Sequence, residues 1–330
     1  MTEYTDFNRL SVAEIPEPTL NKDQVRIRVK AAGVSLSTNL VVSGKYQRKP
    51  PLPFVPGTEC AGVVIECGAN VSRFTPGDRV FAALDWGAYA EETVAFEVNT
   101  FPLSDALSYS QAINFNSYAT VIAALTWPRL LDLQSHDTLL VHGAAGSIGL
   151  AAVEIGKKFG AFVIGTASSS EKRAAVISSG ADHAIDYSDG QFREEVLDLT
   201  RGEGANAILD PVGGPVFEQS LRCIAFEGRI CPIGFTNGVT ALAPCNIILV
   251  KNISVVGLNF GTYYGWSPKD IRYESENKVR EIMRQFNSMA ESGDIKPRVH
   301  SEFPLEEFRE AMDIVTSRKS IGRVILQLNT

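Results

Sequence analysis

A run of small residues between two apolar segments is the part of this 330-residue chain with the clearest chemical meaning. The run reads LLVHGAAGSIGL, and Gly146 and Gly149 stand at the second and third glycine positions of a G-x-G-x-x-G pattern. Small residues let a backbone approach a pyrophosphate closely, and the start of the following helix offers unpaired N–H groups. The pattern therefore predicts a dinucleotide site. The residues of the run that are predicted to bind the cofactor are Ala145, Gly146, Ser147 and Ile148.

The segment after the next strand, GTASSSEKR, indicates which dinucleotide is bound. Enzymes that use NAD have Asp or Glu about 20 residues after the glycines, where the carboxylate binds the ribose 2′-hydroxyl. Ser168 stands at that point, and the cations Lys172 and Arg173 follow it. Hydroxyls and cations can bind a 2′-phosphate that a carboxylate would repel, so the segment favours NADPH over NADH. In a second interpretation, compatible with the first, the serines cap a helix whose solvent-facing side carries the cations.

Few other residues have the types and spacing that catalysis requires. Glu59 follows VPGT, and we expect its carboxylate to accept hydrogen bonds in a turn rather than to act in catalysis. The four histidines are scattered, and His142 fits a packed or hydrogen-bonded role better than a catalytic one. The sequence contains no Ser/His/Asp set, no G-x-S-x-G motif and no metal ligands at a usable spacing.

The glycine run lies within a segment that alternates apolar strands and amphipathic helices. The predicted strands are 137–142, 161–166, 183–186, 206–210, 228–233 and 253–259, and the predicted helices are 147–159, 171–179, 190–200 and 215–224. This alternation is typical of a parallel sheet covered by helices on both faces. Residues 1 to about 105 are instead rich in β-strands, predicted at 25–34, 61–68 and 78–84, and the chain is helical and charged from about 268.

The composition restricts the function classes. Apolar residues make up 45% of the chain and charged residues 21%, as in globular proteins of about two domains. The net charge of −7 has no basic cluster, which argues against a nucleic-acid partner. Five cysteines without zinc-site spacing indicate free thiols. A polar N-terminus and the lack of a long apolar run argue against secretion and membrane insertion, so we expect a cytoplasmic protein.

Ten landmark segments follow one another along nearly the whole chain. They are AAGVSLSTN, SGKY, PGTECAGVV, FTPGDRVFA, GAYAEE, VHGAAGSIGLAAVEIGKKFGAFVIGTASSSEKR, GADHAIDY, ILDPVGG, GRICPIG and IGRVIL. In this order they resemble the medium-chain dehydrogenase/reductase superfamily, in its zinc-free quinone oxidoreductase (zeta-crystallin-like) branch. The resemblance implies an α/β protein with a Rossmann doubly wound parallel sheet at 116–286, plus a GroES-like β-barrel catalytic domain built from 1–115 and 287–330.

The resemblance also implies a metal-free reaction. Zinc alcohol dehydrogenases of the superfamily have Cys in the first landmark and His directly before Glu59, where this chain has Ser35 and Thr58. Thiolate and imidazole are the ligands that zinc needs, so no metal is expected. Direct hydride transfer to a quinone or a conjugated carbonyl is then implied. Ser35 and Thr38 replace the Asn and Asp common in the branch, at positions that border substrate and nicotinamide, and Tyr46 matches a tyrosine that donates a proton or lines the cleft.

The branch binds the 2′-phosphate through three residues that are retained here as Lys172, Tyr187 and Arg318. The nicotinamide is expected near Thr120, Gly234 and Phe260. An enoyl-thioester or acrylate-type (ene) reductase is the alternative within enzymes, and a crystallin-like or RNA-binding protein is the alternative of another class. The apolar segment 253–261 is expected to form an exposed sheet edge, which favours a homodimer.

Overall fold

The computed structural model describes residues 1–328 and divides into two compact units. One unit is formed by residues 1–116 with the chain from 261 onward, and the other by residues 117–260. The sequence places the return to the first unit at 287, whereas the structure places it at 261. The reason is the helix Glu276–Glu291, whose Phe286 ring packs edge-on against Phe81 at 5.9 Å and whose Arg280 guanidinium binds the carbonyls of Glu97 and Thr100.

Strands and helices are numbered in chain order. The strands are β1 (Gln24–Val34), β2 (Glu59–Cys67), β3 (Arg79–Ala83), β4 (Glu92–Phe96), β5 (Thr100–Pro102), β6 (Thr138–Val141), β7 (Phe162–Thr166), β8 (His183–Ile185), β9 (Ala205–Asp210), β10 (Ile224–Pro232), β11 (Ser254–Val255), β12 (Val299–Pro304) and β13 (Arg323–Gln327). The α-helices are α1 (Leu36–Val42), α2 (Tyr109–Ala112), α3 (Phe115–Thr126), α4 (Ser147–Lys158), α5 (Ser170–Ser178), α6 (Arg193–Leu199), α7 (Pro215–Cys223), α8 (Cys245–Lys251), α9 (Glu276–Glu291) and α10 (Phe308–Thr316). Within residues 1–328, none of these helices combines the length and the apolar character that crossing a bilayer requires.

The unit 117–260 contains one parallel sheet in the order β11-β10-β9-β6-β7-β8. Numbered from its own first strand, this is the 3-2-1-4-5-6 order of the Rossmann fold. The chain starts at β6 and builds outward first in one direction and then in the other. The carboxyl ends of β6 and β9 therefore border the crevice where doubly wound sheets bind their ligands.

The edge strand β11 is much shorter than the predicted strand 253–259. It pairs with β10 through Ser254 and Val255 only, after which the Val256 N–H donates to the Ile230 carbonyl. The next bond of a parallel ladder would need an N–H from Pro232, and proline has none. The pairing therefore stops where β10 reaches its proline.

The other unit contains a mixed sheet in the order β12-β13-β1-β2-β3-β5, with β4 added to β1. The long β1 changes partner along its length, because residues 24–28 pair with β4 and residues 31–34 pair with β13. Two register shifts against β2 accompany this change. Bulges bend a strand and increase its twist, so β1 can wrap around an apolar core that includes Val25, Ile27 and Val29.

All five cysteines lie in the described chain and are free. Burial raises the pKa of the Cys60, Cys223 and Cys231 thiols to about 12. A thiol with so high a pKa stays protonated at neutral pH and is a poor nucleophile. These three cysteines therefore act as small apolar core residues.

Candidate functional site

The turn between β6 and α4 has the geometry of an anion-binding loop. Gly143 has a left-handed φ of +55°, and the Gly146 N–H closes the turn on the Gly143 carbonyl at 3.0 Å. Gly146 is the N-cap of the twelve-residue α4, and no side chain in residues 1–328 caps its first turn. Unsatisfied N–H groups and the positive end of the helix dipole lie at this point. The turn can therefore bind a phosphate through its backbone.

Two positions of the turn favour glycine for different reasons. A Cβ at Gly149 would lie 2.4 Å from the Cα of Ala144, so the close approach of α4 to the strand end excludes any side chain. A Cβ at Gly146 would have the Gly143 carbonyl oxygen, at 3.4 Å, as its nearest neighbour. The protein itself leaves space at Gly146, beside the uncapped helix end. A methyl group at Gly146 would project into that space.

A second loop, at the end of β9, lies against the glycine turn. The Asp210 carboxylate accepts the backbone N–H groups of Val212 at 2.7 Å and Gly213 at 3.0 Å, which fixes the loop 211–214. A Cβ at Gly143 would lie 3.5 Å from the Val212 side chain, and one at Gly234 would lie 3.2 Å from the Pro211 carbonyl oxygen. The ends of β6, β9 and β10 are thus adjacent around the point where the strand order reverses.

The end of β7 carries hydroxyls and cations. Ser168 is exposed, and Ser169 caps α5 by accepting the backbone N–H of Lys172 at 3.3 Å. Lys172 is half-buried in the first turn of α5. The neighbouring Arg173 binds the Asp186 carboxylate at 2.6 Å and the Ala167 carbonyl at 3.4 Å.

Buried polar groups lie beneath these strand ends. The His142 imidazole is fully buried and lies 3.0 Å from the Thr166 hydroxyl and 2.8 Å from the Ser220 hydroxyl. Burial lowers the pKa of His142 to about 4, against a smaller opposing effect of the Asp210 carboxylate. The imidazole is therefore neutral at pH 7, and the half-buried Tyr187 ring lies 6.5 Å from it.

The unit 117–260 holds ten of the eleven residues predicted to bind the cofactor. Ala145 is buried, whereas Gly146, Ser147 and Ile148 are half-buried. Thr120 is half-buried on α3, and the buried Phe260 ring lies 6.2 Å from Trp127. The residues in this unit are Thr120, Ala145, Gly146, Ser147, Ile148, Ser168, Lys172, Tyr187, Gly234 and Phe260.

The other unit holds Arg318 and the predicted substrate-side residues. Arg318 is exposed and has a φ of +57° in the turn that ends α10. Ser35 caps α1, and its hydroxyl lies 3.0 Å from that of the buried Thr38. Tyr46 is half-buried just beyond α1. Burial raises the pKa of Tyr46, and the Arg48 guanidinium opposes that rise.

Glu59 is held in a buried ion pair. Its carboxylate binds the Arg323 guanidinium and accepts a hydrogen bond from the Asn116 amide at 2.7 Å. Neither Ser35 nor Thr58 supplies the thiolate or imidazole that zinc requires. The donor set does not fit zinc, and within residues 1–328 no cluster of three His, Cys, Asp or Glu side chains could hold a metal ion.

Comparisons with known proteins agree with this two-unit architecture. Residues 21–105 match the family model of the alcohol dehydrogenase GroES-like domain, and residues 147–275 match that of the zinc-binding dehydrogenase. The quinone oxidoreductase-like protein 2 homolog of Nematostella vectensis is 40% identical over 93% of this chain and 82% of its own length. The rat quinone oxidoreductase-like protein 2 is 36% identical over 97% of this chain and 89% of its own length.

A solved structure shares the fold of both units. The crystal structure of the Escherichia coli quinone oxidoreductase complexed with NADPH superimposes with a TM-score of 0.88 at 26% identity, covering 99% of this chain and 98% of that one. The predicted combination of a Rossmann sheet with a GroES-like unit is confirmed by these matches. The identities of 40% and 36% to the two relatives, over most of both chains and with the two family domains in their expected order, show the family. The chain is an oxidoreductase and belongs to the quinone oxidoreductase branch of the medium-chain dehydrogenase/reductase superfamily.

Proposed function

We propose that this oxidoreductase uses NADPH to reduce a quinone or a related conjugated carbonyl without a metal ion. One observation carries the proposal. The uncapped start of α4 has open space at Gly146, and the next strand end presents Ser168 and Lys172 where NAD enzymes have a carboxylate. The relative from Escherichia coli, which was crystallised with NADPH, supports the same cofactor.

The backbone N–H groups at the start of α4 would hold the pyrophosphate. Gly146 leaves the space, and Ser147 and Ile148 supply the first-turn amides, while the small Ala145 keeps the turn close to the sheet. A dianionic bridge in this position would gain from the helix dipole as well as from hydrogen bonds. These contacts are common to NADPH and NADH, so they give affinity without selecting the cofactor.

Selection between the cofactors would come from the 2′-phosphate. We assign this group to Ser168, Lys172 and Tyr187, with Arg318 as a fourth partner. Charge-assisted hydrogen bonds to a phosphate are roughly twice as strong as neutral ones, so Lys172 and Arg318 would make the largest contributions. The Arg173–Asp186 pair is charge-neutral and leaves this role to Lys172.

The bound cofactor would supply the hydride that reduces the acceptor. Thr120, Gly234 and Phe260 would border its nicotinamide, and Ser35 and Thr38 would offer hydroxyls on the acceptor side. The raised pKa of Tyr46 keeps its phenol protonated at neutral pH, so that Tyr46 can donate the proton that completes the two-electron reduction. No metal is required, because hydroxyl groups at Ser35 and Thr38 can polarise an acceptor that already accepts hydride readily.

We further propose a cytoplasmic homodimer that acts on a small molecule, with neither nucleic acid nor membrane as a partner. Five free cysteines suit a reducing compartment. The short β11 pairs with β10 on one side and both of its residues are exposed, while Leu249 and Val250 on the nearby α8 are largely exposed. An apolar sheet edge of this kind invites pairing with a second copy.

The function is tested by following NADPH oxidation with a panel of acceptors. The panel contains benzoquinone, naphthoquinone, phenanthrenequinone, an alkyl enone and an acryloyl thioester. Turnover with quinones is the expected result. Turnover confined to the enone and the thioester would make the protein an ene reductase, and NADPH binding without any turnover would argue against both acceptor classes.

A further inference from the structure

The hydrogen bonds of His142 define a single tautomer. The Ser220 hydroxyl donates to the Val216 carbonyl at 2.7 Å, so its oxygen must accept a hydrogen bond from the His142 Nε2–H at 2.8 Å. Nδ1 then carries no proton and accepts from the Thr166 hydroxyl at 3.0 Å. Both ring nitrogens are thus satisfied in a site where His142, Thr166 and Ser220 are all fully buried.

The same three residues connect the strand ends that carry the proposed cofactor contacts. His142 directly precedes the glycine turn, and its own N–H donates to the Leu209 carbonyl of β9. Thr166 ends β7, two residues before Ser168, and its carbonyl accepts the Ala144 N–H of the turn at 2.9 Å. The turn and the end of β7 are therefore joined twice, once through backbone and once through the imidazole.

Aromatic rings complete the environment of the imidazole. Phe192 packs edge-on against it at 4.7 Å, and Tyr187, which follows β8, lies 6.5 Å away. The end of β8 is thus a third strand end adjacent to the imidazole. The negative charge of the Asp210 carboxylate acts on the imidazole and raises the pKa of His142, against the larger effect of burial.

We infer that His142 is a positioning residue that holds the glycine turn in register with Ser168, Lys172 and Tyr187, and that it thereby sets the preference for NADPH over NADH. The inference rests on the proposed function and assigns His142 no contact with the cofactor. Loss of the imidazole would let the turn and the end of β7 shift relative to each other. NADPH, which must span both segments and place its 2′-phosphate, would lose more affinity than NADH.

The test uses four variants of the full-length chain and measures the Kd of NADPH and of NADH by fluorescence titration. His142→Leu removes both hydrogen bonds, Thr166→Val removes one with little change of shape, and His142→Gln keeps an amide that can donate to Ser220. Thr126→Val is the matched control, because its hydroxyl donates to the Ile122 carbonyl within α3. Thermal unfolding of each variant is recorded in parallel.

We expect Thr166→Val to weaken NADPH binding about tenfold, as for loss of one buried hydrogen bond, and His142→Leu, which removes two, to weaken it at least as much. Both variants should weaken NADH binding by much less. His142→Gln should recover most of the lost preference, and Thr126→Val should leave both Kd values unchanged. Equal weakening of both cofactors, or a lower melting temperature with an unchanged preference, would overturn the inference. If the wild-type protein does not prefer NADPH over NADH, that result would instead contradict the proposed function itself. Should His142→Leu fail to fold, the milder Thr166→Val decides the outcome.

Discussion

At the scale of single residues, the second of the two cations that follow β7 is held in an ion pair. Arg173 is engaged with Asp186, and the Asp186 pKa is lowered by hydrogen bonds from Ser188 and by Arg173. Lys172 lies one position earlier, in the turn that Ser169 caps. We assign the 2′-phosphate to Lys172 and not to Arg173, a choice that the order of letters in the sequence does not reveal.

Lys172→Ala is therefore expected to weaken NADPH binding by roughly 1.5–3 kcal/mol, the value of a hydrogen bond to a charged group. NADH binding should change little, since NADH has no 2′-phosphate. Isothermal titration with both cofactors makes the measurement, and Lys158→Ala, an exposed lysine at the end of α4, serves as the control. An equal loss for both cofactors would refute the assignment of the 2′-phosphate.

Tyr46→Phe should lower kcat about a hundredfold for an enone acceptor, because a positioned general acid contributes on this order. The Kd of NADPH should stay the same, since the phenol is assigned to the acceptor. Stopped-flow absorbance separates the two quantities, and the exposed Tyr273→Phe is the control. A kcat within about twofold of wild type would show that the proton comes from another source, such as water.

At the scale of elements, the glycine turn allows two matched substitutions. Gly149→Ala should destabilise the fold by roughly 1–3 kcal/mol, because its Cβ would meet Ala144 at 2.4 Å. Gly146→Ala should leave the melting temperature nearly unchanged and still weaken NADPH binding, because the space at this position faces no protein atom closer than 3.4 Å. Unimpaired NADPH binding by Gly146→Ala would contradict the phosphate site.

The buried His142 predicts an acid sensitivity. Its pKa of about 4 in the folded protein lies below the usual value near 6.5, so the unfolded chain binds the proton more readily. The free energy of unfolding should therefore fall as the pH drops from about 6.5 to about 4, by about 3 kcal/mol in total. Urea unfolding across this range measures the slope. His142→Leu should lack this contribution, and an identical slope in the variant would assign it to other groups.

Local patterns and long-range contacts differ in how well a sequence reveals them. Buried parallel strands are continuous apolar runs, so β6, β7 and β9 lie within a residue or two of their predicted positions. The end of β11 depends on Pro232 of a different strand, and the ion pair of Glu59 joins residues 264 positions apart. Neither leaves a periodic signal. The glycine turn is recognisable because all its parts are consecutive, whereas the His142 network comes from three separate elements.

At the scale of the whole molecule, the exposed apolar residues near β11 bear on assembly. Leu249 and Val250 are 75% and 77% exposed on a helix, α8, that buries none of its residues. We expect light scattering to show a dimer at micromolar concentration, and Leu249→Asp to shift it toward the monomer by placing a charge in the interface. Val12→Asp, in another exposed apolar position, is the control. A monomeric wild-type protein would contradict the proposed homodimer.

The central claim is that a site built from the α4 start and the β7 end selects NADPH. Titration of the wild-type protein with NADPH and NADH under identical conditions tests this claim most directly. We expect NADPH to bind at least about tenfold more tightly than NADH, as for one charge-assisted contact to the 2′-phosphate. Equal affinity, or tighter binding of NADH, would contradict it.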